Sequence, residues 1–169
     1  MSLRRETMSW DAKATAPMVA AYRRGAGSRG FVARLVSLCG DPACERGATW
    51  LLKHHMERGG GAPPAKACGE LFDHAGVFAH WESRLHVLQM MGWLALPASS
   101  AGAIESFLEG CLDESNTFVR AWAYSGYAEL ARAHPRFREE AEALLADALE
   151  HEEKASVRAR VRKVLKAGF

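Results

Sequence analysis

Signals for β-strands are nearly missing from this chain. Val and Ile are sparse against abundant Ala and Leu, and no Asn-Gly or Asp-Gly pair marks a hairpin. A β-sandwich or barrel is therefore excluded. An unbroken apolar run of about 18 residues, the length a bilayer span requires, is missing too. The first residues carry Arg4 and Arg5 but no apolar stretch of a secretion signal. No membrane segment is expected, and the location expected is cytoplasmic. The four cysteines, Cys39, Cys44, Cys68 and Cys111, form no C-x-x-C pair and no zinc-finger spacing with histidine. Each lies among apolar or small residues, so buried reduced thiols are expected.

Catalytic patterns are equally scarce. No G-x-S-x-G elbow occurs, and "GGGAPP" lacks the Lys-Ser/Thr of a phosphate loop. His54 and His55 are neighbours, which on a helix point about 100° apart and cannot share one metal. His80 and His86 are six apart, also off register. The i, i+4 spacing instead predicts local pairs, His80 with Arg84 and Glu82 with His86. No catalytic residue, metal or cofactor is expected.

What the chain does have is an ordinary globular balance: 169 residues, 49% hydrophobic and 25% charged. Length suits one domain, 1–169. The net charge of +2 is unevenly placed. Residues 1–30 and 151–169 carry +4 each, which leaves −6 on the middle. Helix breakers recur between segments with helical apolar spacing. This spacing predicts nine helices, over 9–23, 29–39, 42–58, 64–74, 77–95, 100–112, 116–133, 135–149 and 153–167. Pro42, Pro64 and Pro135 fall at or near first-turn positions, and Ser100 and Asn116 are candidate N-caps.

A period is visible. From the third predicted helix onward, every second one carries an arginine in its first turns: Arg46, Arg84, Arg120 and Arg158. Counted from each arginine, positions +3, +6 and +7 are mostly apolar or small and share one helix face, with Lys53 the misfit. The stretches "ERGATWLL", "SRLHVLQM", "VRAWAYSG" and "VRARVRKV" resemble second helices of the HEAT-repeat family, a subset of armadillo-like α-solenoids. That resemblance covers about 29–167. It implies an all-α, right-handed α-α superhelix of about four helix pairs, 29–59, 64–96, 99–133 and 135–169, after an N-terminal cap over 1–28. In that family an acid at the turn and an arginine on the second helix tie adjacent repeats. Asp41 and Asp113 match the acid cleanly, whereas Glu82 lies only two residues before its arginine. A stacked inner helix is covered on three sides, which explains why "FVRAWAYSGYAEL" (118–130) has almost no polar face.

The remaining side follows from the helical angle. Positions +2, +5 and +9 oppose the core face and give Ala48, Leu51, His55; His86, Gln89, Trp93; Trp122, Ser125, Glu129; and Arg160, Lys163, Ala167. This polar-aromatic stripe is expected to line the concave face, where rings supply contact area and attract cations. Trp50 and Tyr124, at +4, are expected to pack between repeats. The leading expectation is a non-catalytic scaffold binding a protein or peptide through His55, His86, Gln89, Trp93, Trp122, Ser125, Glu129, Arg160 and Lys163. Two alternatives stand beside it. The helix pairs and tryptophans also resemble HEAT-like alkylpurine DNA glycosylases, which implies nucleic-acid binding on a basic concave face. This chain departs from that family in having fewer repeats, a net-acidic middle, and Glu129 as the one carboxylate of the stripe. The other alternative is a homodimeric scaffold whose stripe is the interface.

Overall fold

The computed structural model describes residues 2–169, and among them every regular element is helical. Ten α-helices follow in order: α1 (Leu3–Met8), α2 (Ala16–Gly25), α3 (Phe31–Cys39), α4 (Glu45–Glu57), α5 (Ala65–Ala75), α6 (Trp81–Met90), α7 (Ala101–Leu112), α8 (Thr117–Ala133), α9 (Arg138–His151) and α10 (Ala155–Ala167). Short 3₁₀ turns lie at Met91–Trp93, Ala98–Ser100 and Pro135–Phe137. No helix is long and apolar enough to cross a membrane. All four cysteines are free and buried. Burial pushes the Cys111 thiol up to about 12, so it stays protonated and inert at neutral pH.

Helix packing follows two rows. One runs α4 to α6 to α8 to α10, the other α3 to α5 to α7, and α9 packs on α8 and α10. The main core joins both rows from Trp10 to Ala141. A smaller one, built on Ala121, Tyr124, Leu145, Ala148, Val157 and Val161, fills the space among α8, α9 and α10. α8 therefore serves two cores. Val119, Ala123, Tyr127 and Leu130 face the first, Ala121 and Tyr124 the second. That double duty is why its sequence lacks a polar face. Gly126 sits at its tightest point: a Cβ there would come 2.5 Å from Leu108 Cδ2. Asn116 caps α8 by accepting from the N–H groups of Phe118 and Val119 at 2.9 and 3.4 Å.

Several element boundaries differ from the sequence expectation, each for a local reason. No helix runs through 9–15. Asp11 Oδ1 instead accepts from the Lys13 and Ala14 amides at 2.9 and 3.5 Å, and Trp10 Nε1 donates to the Ala14 carbonyl at 2.7 Å. The residues before it form α1, which the apolar spacing did not reveal. α4 starts at Glu45 because Asp41 folds Pro42–Cys44 into a turn, its Oδ1 accepting from the Ala43 amide at 3.0 Å. Ser100 makes no cap bond to α7 and ends a 3₁₀ turn instead. The helix expected over 77–95 starts at Trp81 and gives way to 3₁₀ after Met90.

The N-terminal helices lie on α4. Thr7 of α1 is so close to Gly47 that a Cβ at Gly47 would stand 2.7 Å from both the Thr7 Cα and carbonyl oxygen. Backbone cannot swing aside as a side chain can. Gly47→Ala is expected to lift α1 off α4 at a cost of about 1–3 kcal/mol. Amide exchange would report it as loss of protection at Glu6–Trp10 while α6 to α10 stay protected, and unchanged exchange at Thr7 would refute it.

Candidate partner-binding face

The arginines of the α4–α6–α8–α10 row occupy related positions. Arg84, Arg120 and Arg158 each donate to the carbonyl six residues earlier, on Phe78 (2.8 Å), Glu114 (2.9 Å) and Glu152 respectively. This closes the turn that leads into each arginine's own helix. Arg46, Arg84 and Arg120 also reach forward to an acid at or just before the start of the next helix of the row: Glu82 at 3.8 Å, Glu114, and Glu152 at 3.2 Å. The acid opposite Arg84 is Glu114 rather than Asp113. Asp41 pairs instead with Arg4, at 2.7 Å. Neither local i, i+4 pair forms: His80 binds Glu45, Arg84 binds Glu114, Glu82 meets Arg46 and His86 meets Thr49. Each side chain finds its partner across helices because the neighbouring helix buries that side.

Glu45 is the strongest of these ties, and its role is not visible in the sequence. Only 2% exposed, it accepts from the His80 amide and His80 Nδ1, both at 2.8 Å, from Ser83 Oγ at 3.2 Å and from the Ala79 amide at 3.2 Å. A carboxylate of α4 thus caps α6, where the free N–H groups and the helix dipole favour negative charge.

The expected stripe divides into a covered half and an open half. Ala48 and Leu51 are fully buried. His55 lies under α2, its Nδ1 3.3 Å from the Tyr22 hydroxyl, with the Tyr22 and Phe31 rings edge-on. Trp50 stacks on His54 at 4.8 Å and is met by Trp10 at 5.7 Å. His86, 8% exposed, points between α4 and α6, where Nδ1 is 3.0 Å from Thr49 Oγ1. His86 is thus packed inside, contrary to its place on an open face, and His55 is half-buried beneath Tyr22 and Phe31. The physical cause is the N-terminal segment, which lies on α4, and the close approach of α4 to α6.

The open half begins with Gln89, half-buried on α6, and Trp93, 51% exposed on the 3₁₀ turn. It continues across α8 to α10. There a groove of about 200 Å³ is lined by Trp122, Ser125, Glu129, Arg132, Arg160 and Lys163, with Ala128, Val164 and Ala167 as its apolar floor. The Arg160 guanidinium lies over the Trp122 ring, 3.9 Å from its centroid. Partial burial lowers the Arg160 pKa, though a guanidinium keeps its charge at any ordinary pH. Glu129 pairs with Arg132, which also donates to the Gly168 carbonyl at 3.0 Å. Glu129 and Arg132 also line a second hollow of about 180 Å³ with Met91, Gly92 and Leu96, so the two depressions adjoin. Arg132 escaped the stripe reading, which stopped at +9. One more helical step from Glu129 reaches it.

No family model, curated protein or solved structure matches this chain.

Proposed function

We propose that this chain is a HEAT-like helical-repeat scaffold, stacked as an α-α superhelix, that binds a protein or peptide on the open half of its α6–α8–α10 row. One observation carries the reading. A tryptophan, two cations without ion-pair partners among the described residues and an apolar floor converge on one accessible groove, the mixture of anchor and polar contact that partner-binding surfaces use. The two-row packing and the recurring arginine contacts support the stacked arrangement. The DNA glycosylase reading has less behind it, because Glu129, the stripe's one carboxylate, is engaged by Arg132. Photocrosslinking offers a direct test. A benzoylphenylalanine at Ser125, expressed in the source cell, is expected to yield a discrete protein adduct that disappears when Trp93 and Trp122 are both alanine. The same label at exposed Ala146 on α9 should give none. Equal labelling from both positions would remove the proposal.

A further inference from the structure

Arg160 and Arg136 each lie over an aromatic ring, on Trp122 and Phe137 respectively, and of the two Arg160 is the one that lines the α8–α10 groove. Its guanidinium carbon lies 3.9 Å from the Trp122 ring centroid, yet it donates no hydrogen bond to any described residue. A guanidinium resting on a ring with its N–H fork unused is a prepared receptor for a planar carboxylate, since contact with the ring limits its rotamers before a ligand arrives. Lys163 follows at i+3, on the same side of α10, exposed and also without an ion pair among the described residues. On α4, α6 and α8 the lysines and arginines are spent: Arg46 meets Glu82, Lys53 meets Glu57, Arg84 meets Glu114, Arg120 meets Glu152 and Arg132 meets Glu129. α10 holds five cations and no acid over Ala155–Ala167.

We infer that the α8–α10 groove receives an acidic peptide segment of a partner protein. A carboxylate side chain bridges Arg160 and Lys163, and an apolar neighbour rests on the floor formed by Ala128 and Val164. This rests on the reading of the open row as a partner-binding surface and adds the chemistry of what binds. Three features favour a peptide over nucleic acid. The groove, about 200 Å³, holds one or two side chains rather than a duplex backbone. Glu129 stands inside it and opposes a continuous run of phosphates. The adjacent helix α9 carries a net −4 over Arg138–His151, which repels a polyanion extending beyond the groove.

Selection from a displayed library of random dodecapeptides tests this at about 0.15 M salt. Wild type is expected to enrich Asp- and Glu-containing peptides. A labelled synthetic copy of the best one should lose affinity about tenfold or more in the R160Q/K163Q variant. Its affinity for the unmodified protein should also fall as salt rises to about 0.5 M, a readout that does not depend on any variant folding. The charge-reversed R160E/K163E variant should enrich Lys and Arg instead. Neutral or basic peptides whose capture still requires Trp122 would overturn the acidic assignment and leave the binding face standing. Capture that is indifferent to Trp122→Ala, or no capture, would overturn both. Displacement of the acidic peptide by a twenty-nucleotide oligothymidylate at lower concentration would reassign the groove to nucleic acid. A solution mass near twice 18.5 kDa that R160E/K163E abolishes would reassign it to a second copy of the chain.

Discussion

Glu45→Ala is expected to lower the unfolding free energy by about 3–5 kcal/mol, the range for removing one member of a buried charged network. In a chain of this size that corresponds to a fall in Tm on the order of 10 °C. Alanine deletes the acceptor of four donors at once: the Ala79 and His80 amides, His80 Nδ1 and Ser83 Oγ. Ser83 is fully buried and α6 has no side-chain cap of its own at His80, so the Ser83 hydroxyl would lose its carboxylate partner away from water and the start of α6 would lose its cap. Glu45→Gln keeps the shape and one acceptor oxygen, but turns an NH₂ group toward an existing N–H. About half the loss is expected. Urea unfolding measures both. A Glu45→Ala protein within about 1 kcal/mol of wild type would show that the α4–α6 junction does not depend on this carboxylate.

The second large effect is on pH. Burial, aided by the charge of Lys53, pushes His86 down to about 3 from an ordinary value near 6.5. The unfolded chain therefore binds a proton below about pH 6.5 that the folded chain refuses until about pH 3. The stabilisation is complete above pH 6.5 and drains away as pH falls toward 3. Between pH 7 and 4.5 the loss assigned to His86 is about 2–3 kcal/mol. His86→Leu should flatten this part of the stability curve by that amount. The Thr49 hydroxyl still has the Glu45 and Arg46 carbonyls at 2.8 and 3.2 Å, so leucine strands no donor there. Parallel curves for wild type and His86→Leu, from urea unfolding at both pH values, would refute the assignment. Carboxylates such as Asp41, held below the usual range by Arg4, contribute equally to both proteins and cancel in the difference.

Those two residues mark where sequence reading stopped. Periodicity finds what repeats within one helix, because 3.6 residues per turn fixes which positions share a side. α8 could be read this way, and so could its cap, since Asn116 bonds amides only two and three residues ahead. The recurrence of Arg84, Arg120 and Arg158 was legible for a similar reason: each closes a turn of constant length. Glu45 carried no such mark. Its donors lie at 79, 80 and 83, and nothing in "ERGATWLL" distinguishes a solvated glutamate from one that caps another helix. The pairs proposed at i, i+4 failed on the same point. Local spacing permits a contact, but a neighbouring helix supplied better-placed groups to His80, Glu82, Arg84 and His86.

The candidate face was legible in its second half only. Trp122, Ser125, Glu129, Arg160 and Lys163 line one groove because α8 and α10 are neighbours in the same row. His55 and His86 carry the same angular signature, yet His55 is partly covered and His86 is packed inside. Helix α2 lies over the first, and α4 closes on the second. Exposed Trp93 and half-buried Trp122 also show that one stripe position does not mean one environment.

By itself the amino-acid order determined that the chain is helical, roughly where most helices lie, and which of their faces must be apolar. These follow from propensities and periods that act over a few residues. Tertiary structure alone decided which polar faces stay open, because exposure depends on what the rest of the chain lays across them. Thr7 against Gly47, Tyr22 against His55 and Glu45 beneath His80 join residues more than 30 positions apart. Contacts at that separation are made by packing whole helices together, and no local pattern records them.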